Sequence, residues 1–168
     1  MWDETVDAIE AVRRPVVARP RTGVRRRRRV DDPRVAAMDT SYEPNPDGLP
    51  DPGEVVWAWV AYEDDPSQGK DRPVILLARG TGELSSQWLA LMLTSKDHDR
   101  DAEDEARWGR YWMDVGSGGW DREGRPSEVR LDRLLVLDDS AIRREGAALD
   151  RGIFEAVVAA ARKHHALP

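Results

Sequence analysis

The sequence has no cysteine among its 168 residues. That removes disulfides, thiolate catalysis and most zinc sites at once, and it fits a reducing, cytoplasmic location, which is the one we expect. Histidine is nearly as scarce, at 3. His164 and His165 close a predicted terminal helix, where positive charge suits the helix dipole, and only His98, within Asp97-His98-Asp99, is mid-chain. A Ser-His-Asp triad and a histidine-ligated metal are therefore poorly supported. The chain has no HExxH, no paired CxxC, no P-loop and no GxGxxG opening a helix, so no cofactor or metal is expected. No apolar run approaches the ~20 residues needed to span a bilayer. The first residues carry Asp3 and Glu4 without an apolar stretch, unlike a signal peptide. No membrane association is expected.

What is present is unevenly distributed. The chain is 40% hydrophobic and 35% charged, with a net charge of -6, which predicts one folded domain and at least one solvated segment. Net acidity argues against a surface that binds nucleic acid everywhere, and leaves room for a local basic groove. Residues 1–50 carry Pro15, Pro20, the run Arg25 to Arg29, Pro33, Pro44, Pro46 and Pro50. Prolines at that density break regular structure and like charges in a block stay solvated. The expectation is a disordered Arg/Pro-rich tail, with one short amphipathic helix from Trp2 to Val12 and, as the alternative, an RNA-binding arm. Met38 offers a second candidate start of translation.

The pattern changes at Asp51, and a barrel domain is expected over 51–165. Glu54–Tyr62 is β-branched and aromatic, and Pro73–Ala78 and Trp88–Thr94 are short apolar runs. Tyr111–Val115 and Glu128–Leu137 complete the predicted strands. Residues 63–70 read as a loop and 96–127 as an acidic insertion, a surface excursion at least to Arg110. Asp150 is a candidate N-cap for a closing helix over 150–165, with Phe154, Val157, Val158 and Ala161 on one face. Short strands with frequent turns and one final helix predict a mainly β fold, a small SH3-like barrel.

The residues left for chemistry are Arg72, which opens one predicted strand, and Thr94, which closes the next. Taken alone, each has a bland reading: a solvated arginine before a proline, and a threonine favoured by strands. The order of motifs changes the balance. Gly53-Glu54-Val55-Val56-Trp57 is followed by Gly69 with Arg72-Pro73, then Leu93-Thr94-Ser95, then Val129-Arg130-Leu131-Asp132. In this order the chain resembles the PemK/MazF (Kid-like) toxins of type II toxin–antitoxin systems. The resemblance implies a metal-independent, sequence-specific endoribonuclease. It would cut single-stranded RNA through the 2′-hydroxyl beside the scissile phosphate.

By that resemblance Arg72 matches the family's catalytic arginine and Thr94 its catalytic threonine. A guanidinium suits a phosphorane, because it gives planar, bidentate hydrogen bonds to phosphate oxygens. His98 and Ser95 are supplementary candidates, and Lys70 and Lys96 are candidates for phosphate contacts. Of 7 tryptophans, Trp57, Trp59 and Trp88 fall in strand patterns and read as core, whereas Trp112 and Trp120, near Gly-rich turns, are candidates for stacking RNA bases. The resemblance also implies a homodimer and a cognate antitoxin that lays an acidic segment into the groove. Two departures stand out. The connection from Lys96 to Glu128 is long and acidic at its start, and Arg133 stands where the family often has glutamine. The rival reading is a non-catalytic barrel, either a gyrase-binding toxin or an inactive regulatory homologue.

Overall fold

The computed structural model describes residues 32–96 and 102–168; the Trp2–Val12 stretch, the Arg25–Arg29 block and His98 lie outside them. Seven strands form in the order β1 (Glu54–Ala61), β2 (Gly69–Arg79), β3 (Gln87–Thr94), β4 (Trp112–Gly116), β5 (Ser127–Arg130), β6 (Leu135–Asp138) and β7 (Ile142–Ala148). Among the described residues three α-helices accompany them: α1 (Pro33–Ala36), α2 (Ala102–Arg107) and α3 (Arg151–Ala161). Strand pairing is antiparallel, in the spatial order β4-β5-β3-β2-β1-β7, with β6 also on β3.

The sheet is buried on both faces. On one face Val55, Trp57, Ile75, Leu77, Leu89, Leu91, Leu93 and Val129 pack with Phe154, Val157, Val158 and Ala161 of α3. Those four helix residues are the ones whose spacing predicted a single apolar face. Asp150 caps the helix by accepting from Ile153 N at 3.1 Å. On the other face Val56, Ala58, Val60, Val74, Leu76, Trp88, Ala90 and Met92 form a second cluster with Leu135 and Leu137. Among the described residues no α-helical residue belongs to it. Trp112 of β4 and Ile142 of β7 both pack against this second cluster, although they lie on the two end strands of the sheet. The predicted mainly β, barrel-like fold with a C-terminal helix is the observed one.

The structure departs from the sequence reading in four places. The single strand predicted over 128–137 is two strands. β5 pairs with the end of β3 (Leu93↔Val129, Thr94↔Glu128), whereas β6 pairs with its start (Gln87↔Asp138, Ala90↔Leu135). The first register would set Ala90 opposite Asp132, so three residues are looped out between the two strands. β7 was not anticipated, because Arg143, Arg144, Glu145 and Gly146 obscure any alternation; it forms by adding to the free edge of β1. The acidic insertion contains a helical turn, α2.

The fourth departure concerns the proline-rich segment. Residues 32–50 pack onto the barrel. Met38 is 1% exposed and part of the α3-side core. The Tyr42 hydroxyl donates to the Leu149 carbonyl at 2.6 Å, and its ring lies 5.2 Å from that of Phe154. Ser41 N donates to Leu77 O at 3.0 Å.

Candidate active site

Three strand ends meet at one edge of the barrel. β2 pairs with β1 down to Ala61↔Gly69. This tight approach requires glycine, since a Cβ at position 69 would collide with the Val60 carbonyl oxygen and lie 2.7 Å from the Trp59 ring. The β2–β3 ladder begins at Val74↔Met92, immediately after Pro73, which has no N–H with which to extend it. Carried two residues further, the same register sets Arg72 opposite Thr94. On its other edge β3 sets Thr94 opposite Glu128, and β5 in turn sets Glu128 opposite Asp114 of β4. Ala58 of β1 faces Arg72. One row of side chains thus runs Ala58, Arg72, Thr94, Glu128, Asp114 across five strands.

All of this row lies on the face of the second core cluster. Arg72 and Thr94 are two residues from Val74 and Met92, which belong to the second core cluster, and side chains two apart share a face. Lys70, opposite Val60, continues the same face on β2. The apolar interior therefore gives way at this end to polar groups. Arg72 and Thr94 are each 3% exposed and Glu128 is 5% exposed. Within the buried guanidinium, Nη2 of Arg72 has no hydrogen-bond acceptor, while other atoms of the residue are engaged. Thr94 Oγ1 accepts from Lys96 N at 3.2 Å, which closes the strand end and leaves the hydroxyl proton to donate elsewhere.

The next row carries Trp112↔Arg130. Arg130 is 4% exposed and bound on both sides. Glu63, from the β1–β2 loop, accepts from Nη1 at 2.7 Å and from Nη2 at 3.2 Å, and Asp132 accepts from Nη2 at 2.8 Å and from Nε. Burial opposes the Arg130 charge, but hydrogen bonds to Asp132 and Glu63 outweigh it and hold the guanidinium more firmly protonated than usual. Arg133, where the family often has glutamine, donates to the Ala61 carbonyl at 2.6 Å; burial lowers its pKa.

The structure brings together Lys70, Arg72 and Thr94, with half-buried Ser95 and exposed Lys96 following directly. Trp112 lies on the same face, half-buried, its indole N–H donating to Glu105 of α2 at 2.9 Å. Glu105 also holds Arg110 at 2.7 and 2.9 Å. Trp120 is a correction. It is 5% exposed in the opposite core, bonded through Nε1 to Ser127 Oγ at 3.1 Å and through its carbonyl to Trp57 Nε1 at 3.0 Å. It offers no face to a base.

The residues that sequence reasoning missed are Glu63, Glu128, Arg130 and Asp132. The alternation of Glu128, Arg130 and Asp132 with Val129 and Leu131 was visible, but a polar alternate face normally reads as solvent-facing. The local basic groove for which the composition left room carries charges of both signs. Lys70, Arg72, Lys96, Arg130 and Arg133 stand beside Glu63, Asp114, Glu128 and Asp132. Among the described residues no group of three or more His, Asp or Glu side chains is set to hold a metal ion, and no helix is long and apolar enough to cross a membrane.

This barrel, closed by a C-terminal helix and carrying an arginine–threonine row at one end, matches a family model over residues 51–165, that of the PemK-like, MazF-like toxin of type II toxin–antitoxin system. The chain belongs to that family. Among solved structures it is similar to MazE–MazF of Deinococcus radiodurans in two crystal forms. Form II has 19% identity and a TM-score of 0.48 over 70% of this chain and 96% of that one. Form III has 18% identity and a TM-score of 0.47 over 68% and 94%. It is also similar to the Mycobacterium tuberculosis toxin MazF-mt6, with 18% identity and a TM-score of 0.43 over 68% of this chain and 98% of that one. No curated protein matches the sequence.

Proposed function

We propose that this chain is the toxin of a type II toxin–antitoxin system, acting as a metal-independent endoribonuclease on single-stranded RNA. The observation that carries the reading is the row itself. Arg72 and Thr94, on neighbouring strands, lie two residues past the Val74↔Met92 pair on the face of the second core cluster, each 3% exposed. Burying two polar groups there is costly unless they are used or satisfied.

In the reaction the RNA supplies its own nucleophile. The 2′-oxygen attacks the adjacent phosphorus, charge builds on the non-bridging oxygens, and Arg72 donates to them where little water competes. Thr94, anchored by Lys96 N, orients the attacking hydroxyl. Lys70 and Lys96 flank the row and bind neighbouring phosphates, and Trp112 bounds it on the β4 side. Access to Arg72 and Thr94 requires displacement of the groups that close over them, so turnover depends on an opening step. A homodimer, a cognate antitoxin and a cytoplasmic location complete the reading, supported by membership of a toxin–antitoxin family.

The test is cleavage of a mixed-sequence RNA in EDTA, with end mapping. Wild type is expected to cut at short, defined sequences and leave 2′,3′-cyclic phosphates. Arg72→Ala, checked for folding by circular dichroism, is expected to lose cutting by at least ~10²-fold. A folded, antitoxin-free protein that cuts nothing would sink the nuclease reading in favour of a gyrase-binding or inactive barrel.

A further inference from the structure

The row that holds Arg72 and Thr94 continues to a carboxylate. Glu128 is the direct cross-strand neighbour of Thr94. Opposed residues in an antiparallel pair have Cβ atoms about 4.5–5.5 Å apart, within reach of one hydrogen-bonded hydroxyl. Glu128 points to the same face as Arg72 and is 5% exposed. Thr94 therefore stands between a guanidinium on β2 and a carboxylate on β5. That is the order a displacement at phosphorus requires: a cation where charge accumulates, and a base where a proton must leave.

We propose that Glu128 is the proton acceptor of this site, an inference that rests on the ribonuclease reading above. Its carboxylate takes the proton of the attacking 2′-hydroxyl while Thr94 holds that hydroxyl in line. The O2′–P bond forms and the P–O5′ bond breaks. The departing 5′-oxygen takes a proton from water, and Glu128 returns its proton to solvent, so atoms and charge balance without a further reactant.

The other carboxylates at this end are placed for other tasks. Asp132 accepts from Tyr111 N at 2.7 Å and from Arg130. Glu63 is spread over two nitrogens of Arg130. Asp114 is the exposed outer member of the row, one strand further from Thr94. The charged groups that share the face with Glu128 are Lys70 and Arg72 on β2, Asp114 on β4 and Arg130 on β5 itself.

The experiment is single-turnover cleavage of an RNA that wild type cuts, from about pH 5 to 9. It compares wild type, Glu128→Gln, Glu128→Asp and Asp114→Asn, each checked by thermal unfolding. Affinity is measured with the same RNA carrying a 2′-deoxy nucleotide at the cut site, which cannot react. Wild type is expected to lose rate on the acid side. Glu128→Gln is expected to be slower by ~10²–10³-fold, to lose that acid limb, and to bind the deoxy RNA within about twofold of wild type. Glu128→Asp should keep the limb at reduced rate, and Asp114→Asn should still show an acid limb. The proposal is overturned by a Glu128→Gln profile that keeps the wild-type acid limb, by a rate loss matched by an equal loss of affinity, or by an acid limb that disappears in Asp114→Asn. If Glu128→Gln does not fold, a wild-type profile with no acid limb overturns the proposal equally. Cutting by wild type with an intact Glu128→Gln leaves the nuclease standing and removes only Glu128; no cutting by wild type removes both.

Discussion

The segment before the family-matched region should be a structural part of the barrel, and Met38 is the residue to test. Its side chain is 1% exposed, inside the core that α3 covers. Burying such a side chain contributes about 1.5–3 kcal/mol, and truncation adds the cost of the cavity left behind, giving about 2–5 kcal/mol for methionine to alanine. The segment is held at other points, by Tyr42 to Leu149 and Ser41 to Leu77, so it should stay docked and leave a real void. We expect Met38→Ala to cost about 3 kcal/mol, which for a chain of this size lowers Tm by about 6–12 °C. Urea unfolding of the full chain, followed by tryptophan fluorescence, measures it at unchanged m-value. Leu49→Ala is the control, because Leu49 is 64% exposed and should fall within about 0.5 kcal/mol of wild type. A Met38→Ala loss no larger than that of Leu49→Ala would refute the packing argument and return residues 32–50 to the role of a tail.

Two further predictions concern charge. Arg130→Ala leaves the Glu63 and Asp132 carboxylates facing each other. The loss should reach about 2–3 kcal/mol, reduced from that of a fully buried pair by the 60% exposure of Glu63. Glu63→Gln should cost under about 1 kcal/mol, and chemical denaturation giving the reverse order would contradict the arrangement. Asp51 has its carboxyl pKa raised, first by burial and then by Asp47. A raised carboxyl pKa favours the fold below the ordinary value of 3.8, and that contribution is lost as pH rises through the folded-state pKa. Asp51→Asn is therefore expected to raise Tm relative to wild type at pH 7, with the difference shrinking toward about pH 4. A difference that grows on acidification in thermal unfolding would count against it.

Residue order by itself determined the local elements whose apolar period is unbroken. Val55, Val56, Trp57 and Val60 make β1, Leu89 to Leu93 make β3, and the face of Phe154, Val157, Val158 and Ala161 makes α3. It also picked out Arg72 and Thr94, through the order of motifs around Arg72-Pro73 and Thr94-Ser95. What it could not give is the side of a sheet that becomes interior. Period-two alternation says that Glu128 and Arg130 share a face, but only the packing of β5 between β3 and β4 buries that face. Likewise Trp112 and Trp120 both lie near Gly-rich turns. Tertiary register sends Trp112 to the site and Trp120 to the opposite core, where Ser127 and Trp57 satisfy its polar atoms. Proline density marked residues 32–50 as unable to form long regular elements. It did not report that Met38 and Tyr42 bind the barrel as single anchors, because docking of an irregular segment depends on the surface it meets rather than on its own period.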